Sequence, residues 1–278
     1  MRALVTGGVG FVGTNLIKRL LKDGHQVVSL DDYSTGFKEN KQKGCTYINV
    51  DITERFDNWK EEFDIIFHMA ALPRIKPSFE NPTEVVDVNV NGTVNVLEYA
   101  RKTETSVVYA GSSSFWGGTH KNPYTFSKWQ GEELCKMYER IYGLPVTICR
   151  FYNVYGDYMP MSGGYRTVLP IFLEQHRSGE PLTVTSDGEQ RRDFTHVDDI
   201  VDAMVRVVTL NKWGSTYELG RGENHSINEV ADMFGGDKVY IDEIPGETRN
   251  TLCKSELARK KLNWNPKINL KDWVGEQL

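Results

Sequence analysis

The feature that most constrains the fold of this chain is the alternation of short apolar segments with longer helical patterns over about its first 150 residues. The apolar segments are rich in Val and Ile and lack a polar face, as is typical of buried parallel strands. They begin, in chain order, at Ala3, Gln26, Thr46, Asp64, Ser106 and Pro145. This alternation predicts an α/β fold built on a doubly wound parallel sheet.

The alternation ends near Tyr155, and segment 156–166, rich in Gly, Met and Tyr, is expected to be a loop. The tail from Ser215 is expected to hold short strands and two small helices. The elements predicted between them are a helix around Leu169–Arg177, a strand near Leu182–Val184 and a helix near Val197–Leu210. These later segments are expected to form a smaller lobe beside the carboxyl edge of the sheet.

Charge and cysteine content exclude several classes of function. The formal net charge of −5 provides no basic field for nucleic acid. The four cysteines form no CxxC pair, which argues against a zinc site and a disulfide framework and fits a reducing cytoplasm. The six histidines show no ligand spacing, so no metal is predicted. We also see no signal peptide and no apolar run long enough to span a membrane.

A glycine-rich loop, TGGVGFVG, follows the first strand and leads into a helix. Gly7, Gly10 and Gly13 let the backbone turn tightly and approach a pyrophosphate, whose charge meets the amino end of a helix that begins with Phe11 and Val12. The same spacing also occurs in ordinary strand-to-helix turns, so the motif needs support from elsewhere in the chain.

Acidic residues after the second and third strands provide that support. Asp31 follows Gly13 by 18 residues, where a carboxylate can accept hydrogen bonds from an adenosine ribose and repel a 2′-phosphate. Asp51 and Ile52 follow the third strand and could hold the adenine ring, although each could also be an ordinary loop residue. The sequence therefore predicts NAD, rather than NADP, as the cofactor.

A tyrosine and a lysine lie four residues apart in the stretch NPYTFSK. Asn122 can cap a helix whose first turn accepts Pro123, so Tyr124 and Lys128 are predicted to project from one helix face. A free phenol has a pKa of about 10. A nearby ammonium favours the phenolate, which predicts a general base for a sugar hydroxyl.

Taken together, the motifs resemble those of the extended short-chain dehydrogenases/reductases, specifically the NAD-dependent nucleotide-sugar epimerase/dehydratase family. The resemblance covers nearly the whole chain. Besides the glycine loop and YTFSK, it rests on the motifs HMAA, NVNGT, RFYNVYG, GEQRRDFTHVDDIV and PGETRNT. It implies a Rossmann-like NAD-binding domain over 1–155, with 190–212 packing back on it, and a substrate-binding lobe formed mainly by 156–278.

The resemblance also implies roles for individual residues. Ala70 and Asn89 would line the dinucleotide, and Asn153 would contact the sugar nucleotide. Arg192 and Arg249 would meet its diphosphate, which suits an acidic protein that needs local positive charge. The alternatives are that Asn89 only bridges backbone and that the arginines form surface ion pairs.

The family uses a hydroxyl residue at the end of the fifth strand, and here the strand ends in SSSFWGG. The resemblance assigns the catalytic hydroxyl to Ser112, beside the substrate-binding Ser113, which is the alternative for the catalytic place. In related 4,6-dehydratases this hydroxyl is followed by an acid, which is missing here. Only 12 residues separate Ser112 from Tyr124, fewer than in most relatives.

The motifs and the resemblance together predict a nucleotide-sugar epimerase that acts at C4 through a 4-keto sugar with tightly bound NAD. The alternatives are a 4-keto reductase, a 4,6-dehydratase or a decarboxylase of the same family, or a non-catalytic dinucleotide sensor. The base and the sugar depend on pocket walls expected in 73–80, which includes Arg74, and in 157–172 and 182–191. The resemblance implies a homodimer formed through helices over 82–102 and 123–142.

Overall fold

The computed structural model describes residues 1–56, 59–243, 246 and 248–278. Its strands are β1 (Arg2–Thr6), β2 (Gln26–Asp31), β3 (Cys45–Asn49), β4 (Ile65–His68), β5 (Ser106–Ser112), β6 (Val146–Phe151), β7 (Val154–Tyr155), β8 (Leu182–Thr185), β9 (Arg191–Asp193), β10 (Thr195–His196), β11 (Thr216–Leu219), β12 (Asn224–Ser226) and β13 (Lys238–Ile241).

The helices surround these strands and are named in the same way. They are α1 (Phe11–Lys22), α2 (Ile75–Glu80), α3 (Pro82–Val86), α4 (Gly92–Lys102), α5 (Pro123–Tyr142), α6 (Val168–Ser178), α7 (Val197–Thr209), α8 (Ile227–Phe234), α9 (Leu257–Leu262) and α10 (Leu270–Gln277). The single helix that the sequence pattern suggests over 82–102 is interrupted by a wider π-type turn at Asp87–Asn91.

Seven parallel strands form the main sheet in the order β3-β2-β1-β4-β5-β6-β11. This confirms the predicted doubly wound sheet. The seventh strand, β11, comes from the tail that was expected to belong to the smaller lobe. The strand order reverses between β1 and β4, and ligands of such sheets bind outside the carboxyl ends of the strands at this switch point.

Apolar residues explain why the central strands are buried. Ala3, Leu4 and Val5 of β1 are fully buried, as expected for a strand covered on both sides. Strand β3 differs from the prediction, because it lies at the edge of the sheet and all of its side chains are at least partly exposed. One apolar core fills each face of the sheet, and α7 contributes to the face that also holds α1.

A third apolar core lies among the later elements. Leu169 and Phe172 of α6 pack with Val184 of β8, Phe234 of α8 and Trp273 of α10. The predicted loop over 156–166 and the elements predicted near 169–177, 182–184 and 197–210 are all confirmed. The prediction of two small helices in the tail is wrong, because the described residues after 215 form three: α8, α9 and α10.

Helix α5 begins and ends as its sequence dictates. The Asn122 side chain accepts a hydrogen bond from the Thr125 amide at 2.8 Å, and Pro123 occupies the first turn, where no amide hydrogen is required. Gly143, with φ of +68°, ends the helix in the left-handed conformation that glycine adopts readily. The 20 residues of α5 thus hold Tyr124 and Lys128 on a long, rigid element.

Candidate active site

The glycine loop forms a backbone cradle at the carboxyl end of β1. Gly7 has φ of +71°, and a Cβ on it would lie 2.7 Å from the Ala70 amide nitrogen. A Cβ on Gly13 would lie 2.1 Å from the Gly7 carbonyl oxygen, so the first turn of α1 packs directly on the loop. Gly10 precedes that turn, which contains Phe11 and Val12. The cradle needs glycine at these places, as a pyrophosphate site does.

A groove continues from this cradle and collects most of the predicted cofactor residues. It is lined, among others, by Gly7, Gly10, Asp31, Asp51, Ile52 and Ala70. Asp31 accepts hydrogen bonds from the Val9 and Tyr33 amides, each at 2.9 Å. Two amides leave lone pairs on this carboxylate for ribose hydroxyls. Burial raises the pKa of Asp31 despite these hydrogen bonds. The donor set and the close backbone approach therefore fit a dinucleotide such as NAD.

A buried hydrogen-bonded cluster fixes the wall of the groove at Ala70. The Ala70 amide donates to the Thr6 hydroxyl at 3.2 Å, and His68 lies between Thr6 and Thr93 at 2.7 and 3.0 Å. Burial, with a contribution from the charge of Lys128, lowers the pKa of His68 to about 3. His68 is therefore a neutral structural residue that holds the carboxyl ends of β1 and β4 together.

Asn89 is predicted to line the dinucleotide, but its amide is used within the protein. Its oxygen accepts from the Leu72 amide at 2.8 Å, and its nitrogen donates to the Leu72 carbonyl at 3.1 Å and the Ser127 hydroxyl at 2.9 Å. The side chain is 1% exposed. Asn89 thus bridges backbone groups, and it fixes the position of Leu72, which lines the groove.

The structure brings Tyr124 next to Ser112 and not next to Ser113. The Tyr124 hydroxyl donates to the Ser112 oxygen at 3.4 Å, and the Ser112 hydroxyl donates to the Ser114 oxygen at 2.9 Å. Ser113 is 7% exposed. Hydroxyl contacts in ligand-free active sites are often this long and shorten when substrate binds. The hydroxyls of Tyr124 and Ser112 are therefore placed as those of a general base and its hydrogen-bonding partner would be.

The electrostatics of Tyr124 differ from the prediction. Burial raises the pKa of its phenol, and the Ser112 hydrogen bond and the Arg74 guanidinium oppose this rise only in part. The expected cation, Lys128, does not act on the phenol here, because its ammonium lies 4.3 Å from the centroid of the Tyr109 ring. Burial lowers the pKa of Lys128 to about 8.

The depressed pKa of Lys128 predicts a pH-dependent stability. At pH values below the pKa of Lys128 in the folded protein, the buried ammonium lowers the free energy of unfolding of the cofactor-free protein. This penalty becomes smaller as pH rises from that pKa towards the higher pKa of the unfolded chain, because in this range the folded protein has lost the proton and the unfolded chain keeps it. Between about pH 7.5 and about pH 9.5, we expect the free energy of unfolding of the wild type to rise by about 2 kcal/mol relative to Lys128→Met. Urea denaturation at both pH values measures this difference, and a constant difference would contradict the assignment.

A buried charge network, which sequence reasoning missed, supports the short serine segment. Arg150 on β6 donates to Glu132 of α5 at 2.6 and 3.0 Å and to Glu218 of β11 at 3.2 Å. The Phe115 ring covers its guanidinium, with the centroid at 3.8 Å, and the Trp116 indole donates to Glu218 at 2.7 Å. No spacing in the sequence links these residues, which are far apart along the chain.

The side chains of the predicted substrate residues Asn153 and Arg249 are engaged by other groups of the protein. Asn153 donates to the Asp193 carbonyl at 3.0 Å and to the Thr251 hydroxyl at 3.1 Å. Arg249 forms an exposed bidentate pair with Asp187 at 2.6 and 2.8 Å, and this hydrogen bonding lowers the pKa of Asp187 to about 2.

The diphosphate-binding roles remain predictions. Arg249 would have to leave Asp187 to bind a diphosphate, and Arg192 lies in β9 with one guanidinium nitrogen 3.1 Å from the Arg191 carbonyl oxygen. Pro245 and Glu247 of the PGETRNT motif lie outside the described residues.

The described residues contain no cluster of three or more His, Cys, Asp or Glu side chains placed to hold a metal ion. Within the same residues, no helix combines the length and apolar character that crossing a bilayer requires.

Comparisons with known proteins agree with this site. The model of a family described as "NAD dependent epimerase/dehydratase family" matches residues 3–220. A UDP-glucose 4-epimerase of Mycolicibacterium smegmatis is 32% identical over 306 residues, which cover 99% of this chain and 97% of that protein. UDP-glucuronic acid decarboxylase 1 of Xenopus tropicalis is 31% identical over 308 residues, covering 100% of this chain and 71% of that protein.

A solved structure shows the same fold. UDP-glucose 4-epimerase of the hyperthermophilic eubacterium Thermotoga maritima, determined with UDP-glucose, is 25% identical to this chain. It superimposes with a TM-score of 0.92 over 99% of this chain and 96% of that one.

Proposed function

The chain belongs to the NAD dependent epimerase/dehydratase family, and we propose that within it this protein is a nucleotide-sugar epimerase acting at C4 of a UDP-hexose. The observation that carries the proposal is the pair of Tyr124 and Ser112 hydroxyls, 3.4 Å apart. This pair follows a glycine cradle and an acidic groove that suit NAD. Similarity to UDP-glucose 4-epimerases supports both the reaction and the nucleotide.

The chain's own groups perform the proton chemistry in this proposal. The Tyr124 oxygen takes the proton from the sugar C4 hydroxyl, and the Ser112 hydroxyl hydrogen-bonds the same oxygen so that it stays aligned. NAD, which the glycine cradle and Asp31 would hold, would supply the hydride acceptor and donor that interconversion through a C4 ketone requires. Lys128, one helical turn beyond Tyr124, would hold the nicotinamide ribose. Tyr124 then returns the proton to the new C4 hydroxyl.

The carboxylates near the site favour epimerisation over dehydration. Elimination of water requires an acid beside the reacting sugar, but Ser113 and Ser114 stand after Ser112. Glu132 is a carboxylate close to this strand end, where a Cβ on Gly111 would lie 2.8 Å from its oxygen. Glu132 is held by Arg150 and is 1% exposed, so it does not serve as that acid.

The test is to incubate the purified protein with UDP-, GDP-, CDP- and dTDP-hexoses and with UDP-glucuronate, and to follow the products by proton NMR. We expect one UDP-sugar to interconvert with its C4 epimer, with no net redox change. Heat denaturation of the same preparation should release NAD. Loss of the C6 hydroxyl or of carbon dioxide would assign a dehydratase or a decarboxylase instead, and net consumption of reduced nucleotide would assign a reductase.

Gly13→Ala is expected to abolish NAD retention. Its Cβ would lie 2.1 Å from the Gly7 carbonyl oxygen, so the backbone of the cradle has to shift to accept it. Gly275→Ala is the matched control, because nothing lies within 4 Å of its would-be Cβ. Nucleotide released from each variant on denaturation can be quantified by chromatography. A full complement of NAD in Gly13→Ala would show that the cradle is not the pyrophosphate site.

We further propose that the protein is a cytoplasmic homodimer. Helices α4 and α5, which belong to the predicted interface, pack side by side, and Ile141 and Tyr142 at the end of α5 are more than half exposed. Sedimentation velocity would show a single species of twice the chain mass. The division into a cofactor domain over 1–155 and a substrate lobe over 156–278 remains a prediction.

A further inference from the structure

Arg74 has a backbone conformation that arginine adopts only at a cost. Its φ of 87° and ψ of 143° lie in a region that glycine alone populates readily. The residue directly precedes α2, within the predicted pocket wall over 73–80. Strained residues of this kind concentrate at functional sites, where the surrounding structure holds them in place. The contacts of the Arg74 side chain indicate which function the strained backbone serves.

A chain of hydrogen bonds fixes the Arg74 segment beside Tyr124. Leu72, two residues before Arg74, is clamped through both its amide and its carbonyl by Asn89. Asn89 also donates to Ser127 at 2.9 Å, and the Ser127 hydroxyl donates to the Tyr124 carbonyl at 2.9 Å. These hydrogen bonds tie the segment that carries Arg74 to the first turn of the helix that carries Tyr124, and the charge of Arg74 opposes the rise in the pKa of the phenol.

The guanidinium of Arg74 is only partly used by the protein. Its Nε donates to the Tyr165 carbonyl at 3.0 Å, which joins the wall at 73–80 to the loop over 156–166. Among the described residues, Arg74 forms no ion pair, and its two terminal nitrogens donate no hydrogen bond to the protein. A partly buried cation without a carboxylate partner is costly, unless an anionic ligand pairs with it.

The geometry of a hexose determines which anionic group could reach this guanidinium. Tyr124 and Ser112 would bind the oxygen on C4. In a pyranose ring C1, which carries the diphosphate, lies opposite C4, whereas C5 and its C6 substituent flank it. A negative charge near Tyr124 therefore belongs to C6 and not to the nucleotide. Arg binds a carboxylate there with two parallel hydrogen bonds.

We propose that Arg74 is a specificity-determining residue that binds a sugar carboxylate, so that the preferred substrate is a nucleoside-diphosphate hexuronic acid. This inference rests on the proposed function, since it places C4 of the sugar at Tyr124. The same guanidinium would offset the negative charge that develops on the phenol. Neutral hexoses would leave it unpaired and would bind more weakly.

Binding and turnover are measured separately to test this inference. Isothermal titration calorimetry of the NAD-loaded protein should show UDP-glucuronate binding at least about 10-fold more tightly than UDP-glucose. Arg74→Gly should weaken UDP-glucuronate binding by about 10- to 100-fold and change UDP-glucose binding by less than about 3-fold. Because glycine relieves the strained conformation, the thermal midpoint of this variant should be unchanged or higher.

Lys22→Met is the matched control, because it removes one exposed positive charge at the far end of α1 and should leave both affinities unchanged. Equal wild-type affinities for the two nucleotide sugars, or a preference for UDP-glucuronate that survives in Arg74→Gly, would overturn the inference. Turnover by NMR decides the proposed function independently. Epimerisation of UDP-glucose with no preference for the uronate would sink the Arg74 assignment and leave the epimerase standing.

Discussion

Tyr124→Phe is expected to reduce kcat by about 10³-fold, because general acid–base groups contribute roughly 10²- to 10⁴-fold to the rate. The substitution removes only the hydroxyl that donates to Ser112 at 3.4 Å. Ser112 keeps its hydrogen bond to Ser114, so the strand end should not rearrange. Epimerisation of the substrate identified by NMR provides the measurement.

The matched control for this variant is Tyr142→Phe, the same chemical change in the same helix at a side chain that is 51% exposed. It should retain full activity. Both variants should release the wild-type amount of NAD on denaturation, which separates a lost proton transfer from a lost cofactor. Wild-type turnover in Tyr124→Phe would refute the proposed mechanism, whichever sugar is used.

Arg150→Met is expected to lower the free energy of unfolding by about 3–5 kcal/mol, the usual cost of leaving buried charges without their partner. The change removes the cation that pairs with Glu132 and Glu218, whose side chains are 1% and 10% exposed. The stacking of Phe115 on the guanidinium is lost as well. Urea denaturation followed by circular dichroism measures the effect.

A second consequence of Arg150→Met concerns the active site. Residues 113–117 follow Ser112 directly, and the network is what holds them against β6 and β11. We therefore expect kcat to fall, even under conditions where the variant is fully folded.

Arg101→Met provides the comparison for stability, because its pair with Glu98 lies at the surface and should contribute far less to the free energy of unfolding than the buried network of Arg150. Adding Glu132→Leu to Arg150→Met should recover part of the lost stability, since it removes one of the stranded carboxylates. A loss below about 1 kcal/mol for Arg150→Met alone would show that water or another group compensates the network.

The fold and the cofactor cradle could be predicted because their signals are local. Buried parallel strands require continuous apolar runs, and a tight strand-to-helix turn requires glycine, so Gly7, Gly10 and Gly13 indicate their place directly. The cap of α5 is equally local, since Asn122 and Pro123 lie at its first turn. Only the edge strand β3 and the late strand β11 differ from the expected sheet, because position in a sheet depends on non-local pairing.

The polar contacts of the candidate site could be predicted only in part. The helical repeat places Tyr124 and Lys128 on one face, but it does not fix where a long side chain ends. Lys128 therefore lies over Tyr109, and Arg74 is the cation that acts on the phenol. Likewise, the count along the strand favoured Ser112, with Ser113 as the alternative, and the packing of α5 places the Tyr124 hydroxyl 3.4 Å from the Ser112 oxygen.

The sequence by itself determined the class of this protein: a doubly wound sheet, a dinucleotide cradle and, on a capped helix, the tyrosine that we propose as the base, because local sequence patterns encode each. Only the tertiary structure decided which groups meet around that base. The charge of Arg74, from another loop, acts on the pKa of Tyr124, and Arg150 joins carboxylates 18 and 68 residues away. Such contacts arise from packing of elements distant in the chain, which no local pattern records.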